Sequence, residues 1–261
     1  LLDDGFVLDH RALRRVDVRA QWDFINDDPD PSYDPKQDIP SQGGHGTIVL
    51  STIAGYDPGY FIGTAYEASF ILCKTEYDPT ETAVEEDYWV EAAEWAERKG
   101  ADIISSSLSY KDWYNPADYD GRTAITTRAA DKAIKKGVVV CTSMGNEGPE
   151  PMTLGAPADG IMVLGIGAVN KDGTIAKFSS RGPTADKRIK PDVCARGIKT
   201  YCVSAHTFDY YATANGTSLS CPLAAAACAL VIQAHPDWQP ERVIEAIKYS
   251  ASRALCPDNN Y

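Results

Sequence analysis

A serine near the carboxyl end of the chain lies in a setting that suits nucleophilic chemistry. Residues 215–222 read Asn-Gly-Thr-Ser-Leu-Ser-Cys-Pro and precede an apolar run, residues 223–234, that is rich in alanine and leucine. The run predicts a helix, which would place Ser218 at a positive helix terminus with unpaired backbone N–H groups. Such a serine can attack a carbonyl beside ready donors for an oxyanion, although Gly-Thr-Ser before a helix is more often an ordinary cap.

Two further segments carry the residue types that would activate this serine. Residues 42–47, Gln-Gly-Gly-His-Gly-Thr, place His45 between glycines at the start of a second apolar stretch. Asp3 opens the chain in Asp-Asp-Gly, with Asp4 as a competing carboxylate. An imidazole can take the proton of a serine hydroxyl near neutral pH. Each residue alone would be a cap, a turn residue or a solvated terminus, but their co-occurrence in the order Asp, His, Ser favours a catalytic triad.

This order and its flanking residues resemble those of the subtilisin-like serine proteases, the subtilase family. Gly-His-Gly-Thr around His45 and Gly-Thr-Ser-x-x-x-Pro around Ser218 carry the resemblance. Gly-Asn-Glu-Gly at residues 145–148 is similar to the segment of the family that contains its oxyanion-hole asparagine, and residues 178–183 and 190–193 match as well. The resemblance therefore covers nearly the whole chain.

The resemblance implies a fold and a reaction. The fold would be α/β, with three α/β/α layers and a mainly parallel central sheet. The reaction would be hydrolysis of peptide bonds by a serine endopeptidase through an acyl-enzyme intermediate. A catalytically inactive subtilisin-like domain that binds extended peptides is the alternative.

The resemblance also assigns roles to individual residues. Ser218 would be the nucleophile and His45 the general base, and Asp3 would be the orienting carboxylate because the family pattern is Asp-x-Gly. The side-chain amide of Asn146 and the backbone N–H of Ser218 would bind the oxyanion. The predicted catalytic residues are thus Asp3, His45, Ser218 and Asn146.

Substrate-binding residues follow from the same resemblance. Residues 107–110, Ser-Leu-Ser-Tyr, are similar to the family segment that pairs with the substrate backbone as an added strand, a plain strand end being the alternative. The family usually has glycine at Ser109 and Tyr110, so we expect a narrower cleft rim. Gly155 leaves depth in the pocket for the residue before the scissile bond, and we expect a preference there for medium or large apolar side chains. The predicted substrate-binding residues are Ser107, Leu108, Ser109, Ser143, Met144, Gly145 and Gly155.

Composition limits the classes of partner. The chain has 37 acidic against 25 basic residues and a net charge of −12, which disfavours nucleic acids and anionic membranes. The longest apolar stretch is interrupted by Gln233 and falls short of the roughly 18 residues that a membrane span requires. We therefore expect a soluble protein, and the resemblance implies polypeptide substrates.

Cysteines and acidic residues give no clear metal site. The seven cysteines include no C-x-x-C motif, which argues against zinc, and Cys194 and Cys202 flank a turn-like segment across which a disulfide is one possibility. Calcium would suit the acidic loop before His45, but solvated carboxylates on such a loop are commoner. We predict no required metal or cofactor and leave calcium open. The carboxylates of this loop are Asp27, Asp28, Asp30, Asp34 and Asp38.

The elements alternate as a parallel sheet with crossover helices requires. We predict strands at residues 68–73, 101–107, 138–142 and 161–169 and helices at residues 85–99, 123–136 and 240–250. No repeat or linker divides the chain, so residues 1–261 are expected to be one peptidase domain. Only Leu1 and Leu2 precede Asp3, and we expect the native polypeptide to continue at both ends, with a first strand and an inhibitory pro-segment before residue 1. The resemblance implies a secreted or cell-envelope protein.

Overall fold

The computed structural model describes residues 1–261 and has a seven-stranded sheet at its centre. All neighbouring strands of this sheet are parallel, and their order is β2-β5-β1-β6-β7-β8-β9. Two short antiparallel hairpins, β3-β4 and β10-β11, lie outside it. The strands are β1 (Leu2–Asp3), β2 (Asp17–Asp23), β3 (Tyr56–Asp57), β4 (Phe61–Ile62), β5 (Ser69–Lys74), β6 (Ile103–Ser106), β7 (Val139–Ser143), β8 (Leu164–Val169), β9 (Val193–Arg196), β10 (Thr200–Val203) and β11 (Tyr211–Ala214).

Five helices cover the two faces of the sheet. They are α1 (Gly44–Ala54), α2 (Val84–Arg98), α3 (Ile125–Lys135), α4 (Thr217–Ala234) and α5 (Pro240–Ser250). Successive side chains of a strand point to opposite faces. Val140 accordingly packs with residues of α2 and α3, whereas Val139 and Cys141 pack with residues of α4 and α5. The predicted three-layer α/β/α architecture is confirmed.

The predicted elements are present with small shifts at their ends, and α5 begins and ends where the sequence predicts. Strands β2 and β9 were not predicted. They are the two edges of the sheet, and β2 has a mixed exposed and half-buried pattern that weakens its apolar signal.

Helix α4 is longer than the sequence indicated because it begins at Thr217 and continues through Pro222. Pro222 is the sixth residue of this helix, so its missing N–H leaves the carbonyl oxygen of Ser218 without a helical donor, and the hydroxyl of Ser107 donates to that oxygen at 2.9 Å. Over its 18 residues the mean hydropathy is 1.6, so by length and composition this one helix is apolar enough to cross a membrane. The expectation that no stretch reaches this length was therefore wrong. The helix packs against the sheet and belongs to the core.

All seven cysteines are free thiols, so the possible pairing of Cys194 with Cys202 is not formed. Cys194 lies on the edge strand β9 of the central sheet, and Cys202 lies on the β10-β11 hairpin. The turn-like segment between them connects two separate sheets instead of closing a disulfide loop.

Candidate active site

Chain segments that are far apart in sequence meet at the carboxyl edge of the parallel sheet, where open α/β sheets bind their ligands. Asp3 is the last residue of β1. His45 lies in the first turn of α1, and Ser218 lies in the first turn of α4. Asn146 follows β7 on the loop that leaves the same edge. The fold thus brings all four predicted catalytic residues to one edge of the sheet.

Asp3 and His45 form a hydrogen-bonded pair. The Nδ1 atom of His45 lies 2.6 Å from Oδ1 of Asp3, and the Asp3 side chain is completely buried whereas that of His45 is 36% exposed. Oδ1 also accepts the backbone N–H of Asp4 at 2.9 Å. Burial lowers the pKa of His45, but the charge and hydrogen bond of Asp3 outweigh it and raise the pKa above its ordinary value. The pair therefore favours the imidazolium, the form that a general base adopts after taking a proton.

The competing carboxylate, Asp4, has a different set of partners. Its Oδ1 accepts the backbone N–H of Gly46 at 2.7 Å, and its Oδ2 accepts that of His45 at 3.1 Å. Gly43 precedes α1 and supplies no side-chain cap, so Asp4 caps this helix from another segment. Burial, followed by the charge of Asp3, raises the pKa of Asp4. Asp4 thus positions the helix that carries His45, and only Asp3 bonds to the imidazole. Sequence reasoning missed this cap.

Ser218 is held against the segment that follows β6. Its hydroxyl donates to the carbonyl oxygen of Ser107 at 3.3 Å, and the hydroxyl of Ser107 donates to the carbonyl oxygen of Ser218 at 2.9 Å. The Ser218 hydroxyl makes no hydrogen bond to His45 in this state. Catalytic hydrogen bonds are often long or absent without substrate, so the geometry is compatible with a serine that turns to the imidazole when substrate binds.

Asn146 is oriented by the start of α4. Its Oδ1 accepts the backbone N–H of Thr217 at 2.9 Å and the Thr217 hydroxyl at 3.1 Å. With the amide oxygen occupied in this way, the Nδ2 group makes no hydrogen bond within the protein. The preceding Gly145 has a φ of +101°, a conformation that other residues rarely adopt. The side chain of Asn146 therefore presents a free donor next to the nucleophile-bearing turn.

The two predicted substrate-binding segments, residues 107–110 and 143–145, form the walls of the predicted pocket and are joined by a hydrogen bond. The Ser143 hydroxyl donates to the carbonyl oxygen of Leu108 at 3.2 Å, and Tyr110 exchanges backbone hydrogen bonds with Ala156. Met144 is wholly buried and packs in an apolar cluster behind the wall. Its side chain is therefore not at the cleft surface, which is a correction to its predicted role. The other residues of this set lie on the same segments and at Gly155, and their contact with substrate stays a prediction.

Gln42 is a positioning residue that the sequence did not reveal. Its Nε2 donates to the carbonyl oxygens of Asp4 at 2.5 Å and Glu76 at 2.7 Å, and its Oε1 accepts the N–H of Asp78 at 3.1 Å. The side chain is fully buried and ties the Asp-Asp-Gly turn to the loop after β5. A glutamine three residues before a histidine gives no signal of this clamp, because its partners are more than 30 residues away.

Carboxylates near the site already have protein partners. Asp3, Asp4 and His45 have ligand atoms within 4.8 Å of one another, but hydrogen bonds engage all three. In the acidic loop, Asp38 pairs with the buried Lys74 at 2.7 Å. The other loop carboxylates that form contacts accept nearby backbone N–H groups.

The site combines a buried carboxylate on an imidazole, a serine at a helix start and an amide donor beside that serine, all on a parallel α/β sheet. These are the groups that catalysis by a serine nucleophile requires. The model of the Subtilase family matches residues 1–261, so the chain belongs to that family. The predicted resemblance is confirmed.

Individual relatives agree with this membership. The chain is similar to the serine protease AprX of Bacillus subtilis, at 28% identity over 91% of this chain and 58% of the relative. It is also similar to Subtilisin E of Bacillus subtilis, at 33% identity over 97% of this chain and 59% of the relative. The chain thus spans about three fifths of the length of these relatives. A solved cold adapted subtilisin-like serine proteinase shares the fold, with a TM-score of 0.74 at 19% identity over 99% of this chain and 85% of that chain.

Proposed function

We propose that the protein is a serine endopeptidase that hydrolyses peptide bonds through an Asp3-His45-Ser218 triad. The observation that carries the proposal is the hydrogen bond of 2.6 Å between His45 and the fully buried Asp3. An imidazole held in this way has one tautomer, with the proton on Nδ1 and the basic lone pair on Nε2. Family membership supports the same activity.

The reaction begins when Nε2 of His45 takes the proton of the Ser218 hydroxyl, and Oγ attacks the carbonyl carbon of the substrate. Asp3 stabilises the imidazolium that forms. The negative charge that develops on the carbonyl oxygen is stabilised by the N–H of Ser218 and by Nδ2 of Asn146. His45 then donates its proton to the leaving amine, and an acyl-enzyme remains on Ser218. Water, deprotonated by His45, hydrolyses this ester and restores the serine.

An extended substrate backbone would lie along residues 107–110 as an added strand, with peptide groups pairing to the chain after β6. The alternative, an inactive domain that only binds peptides, would not need the His45 pair, Asn146 and Ser218 at one edge of the sheet. We further propose a secreted or cell-envelope location, as the subtilase family suggests, and a reaction without a required cofactor or metal.

The test is a peptidase assay on a denatured protein substrate with the wild-type chain and Ser218→Ala. We expect wild-type cleavage and a fall of at least roughly a thousandfold in the variant, because only oxyanion binding and positioning remain. Ser220→Ala is the matched control, since this hydroxyl lies on the same helix and donates to the carbonyl oxygen of Thr217. Peptide binding without cleavage by the wild-type protein would support the alternative.

A further inference from the structure

In the predicted pocket beside Asn146, Gly155 does not leave the open base that the sequence suggested. One wall is the segment after β6, residues 107–111, and the other is residues 143–147. Besides the Ser143 to Leu108 hydrogen bond, the N–H of Gly155 donates to the carbonyl oxygen of Met144 at 3.4 Å. The base of the pocket is thus fixed to its second wall.

The Ser109 hydroxyl lies across this base. A Cβ atom built on Gly155 would be 2.3 Å from Oγ of Ser109, and one built on Gly145 would be 3.1 Å from the same atom. The first distance is shorter than any contact between such atoms, so not even a methyl group fits between Ser109 and Gly155. A substrate side chain entering between the walls would meet Ser109 before it reached Gly155.

An ion pair closes the same region without leaving a free charge. The aliphatic stem of Lys111 would lie 2.8 Å from the Cβ position of Gly155, and its ammonium pairs with the carboxylate of Glu147. Glu147 also accepts the backbone N–H of Asn146 at 2.9 Å and the hydroxyl of Ser180 at 3.0 Å. Each of the two charges thus has a partner of opposite sign within the protein.

The segment that carries Ser109 is anchored on both sides. Tyr110 bonds to the backbone of Ala156 through its N–H at 2.9 Å and its carbonyl oxygen at 3.1 Å. The phenol of Tyr110 is buried and donates to Glu76 at 2.6 Å. The side chain of Tyr110 is therefore held by Glu76, and the backbone next to Ser109 is fixed against Ala156.

The Ser109 hydroxyl is also without a partner. Its Oγ is buried and makes no hydrogen bond, whereas buried polar atoms in folded proteins are nearly always paired. The hydroxyl therefore fills the space beside Gly155 without a hydrogen bond that its removal would break.

Resting on the proposed endopeptidase function, we propose that Ser109 sets the substrate preference by closing the pocket for the residue on the acyl side of the scissile bond. This pocket then takes small uncharged side chains, namely those of glycine, alanine and serine. The proposal replaces the expected preference for medium or large apolar residues, which assumed that Gly155 leaves depth.

The experiment measures kcat/KM for fluorogenic tetrapeptides that differ only in the residue before the cleaved bond, with Gly, Ala, Ser, Leu and Phe compared. For the wild-type protein we expect Ala or Ser to exceed Phe by roughly tenfold or more, since a pocket that lacks space discriminates by about 10- to 200-fold. Ser109→Gly opens the base and should raise kcat/KM for Phe by a similar factor. Ser109→Thr narrows the base and should lower the ratio of Ala to Gly.

Ser250→Gly is the control, because it makes the same change at an exposed position on α5 and should leave all ratios unchanged. If Ser109→Gly does not fold, Ser109→Ala removes the hydroxyl alone and should raise the ratio of Leu to Ala. A wild-type preference for Phe, or variants at Ser109 that leave the ratios unchanged, would overturn the proposal.

Labelling of the wild-type protein by a serine-directed fluorophosphonate separates the two proposals. A labelled enzyme with the wrong preference contradicts only the pocket, and an unlabelled one contradicts the endopeptidase.

Discussion

Asp3 and Asp4 are adjacent carboxylates that act on opposite sides of one histidine. Asp3 bonds to the imidazole of His45, and Asp4 bonds to the backbone of the helix turn that carries it. A side chain used for proton transfer must be held within a fraction of an ångström of its working position. The two carboxylates together hold His45 in position, because Asp3 bonds to its imidazole and Asp4 bonds to its backbone.

The raised pKa of His45 predicts an activity that increases toward alkaline pH. Only the neutral imidazole can take the serine proton, so kcat/KM should rise as pH passes the pKa of His45. Its ordinary value is 6.5, and the half-maximal point should lie above it because Asp3 stabilises the imidazolium more than burial destabilises it. Asp3→Asn removes the charge, so the half-maximal point should move to lower pH and kcat should fall by roughly ten-thousandfold. A pH profile of kcat/KM for both proteins is the measurement, and an unchanged midpoint would contradict the assigned pairing.

Asn146→Ala should lower kcat by roughly a hundred- to a thousandfold, the loss known for one oxyanion donor in subtilisin, while KM changes little. The reason is that Nδ2 is needed mainly after negative charge has developed on the substrate oxygen. Steady-state kinetics on one peptide give both constants. Asn170→Ala is a suitable control, because the side chain of Asn170 bonds only to the backbone N–H groups of Asp172 and Thr174 in its own turn. A kcat equal to that of the wild type would remove Asn146 from the mechanism.

At the level of the elements, a buried ion triad joins β5 to the end of β2 and to the acidic loop. Lys74 ends β5, and its ammonium lies 2.8 Å from Asp23 and 2.7 Å from Asp38, with all three side chains almost completely buried. Burial lowers the pKa of Lys74, but its bonds to the two carboxylates raise it overall, so the ammonium stays charged. The triad fixes the chain that runs from β2 to α1.

Lys74→Met should lower the free energy of unfolding by about 3–5 kcal/mol, because the change leaves two buried carboxylates without a cation. Urea denaturation monitored by circular dichroism gives the value. Lys136→Met is the matched control, since its pair with Glu97 is solvent-exposed and should contribute less than about 1 kcal/mol. Equal losses in the two variants would show that the buried triad does not stabilise the fold.

Some roles were predictable because the neighbouring residues in the sequence indicate them. The other roles depend on residues that are far away in the sequence. Ser218 and His45 carry local signals, because glycines and an apolar helix stand directly beside each of them. The roles of Asp4, Lys74 and Ser109 depend on partners that folding brings together from distant segments. The sequence around Ser109 is typical of a strand end, and only the folded structure shows that the Ser109 hydroxyl lies against Gly155. Edge strand β2 escaped prediction for a related reason, since half-exposed strands have weak apolar patterns.

For the whole molecule, the fold explains why so few residues determine the chemistry. Parallel strands all present their carboxyl ends at one edge, so residues from β1, from the loops after β6 and β7, and from two helix starts converge there. The chain has a net charge of −12, whereas the two charged side chains beside the proposed pocket, Lys111 and Glu147, pair with each other. That the native polypeptide continues beyond both ends stays a prediction.

The central claim is that Ser218 is the one activated nucleophile of this molecule, and covalent labelling tests it most directly. The wild-type protein is treated with a fluorophosphonate, its intact mass is measured, and the modified residue is located by peptide mapping. We expect a single adduct on Ser218, formed by attack of Oγ on phosphorus with loss of fluoride, and no adduct in Ser218→Ala. An adduct on another serine, or a wild-type protein that stays unmodified while folded, would contradict the triad.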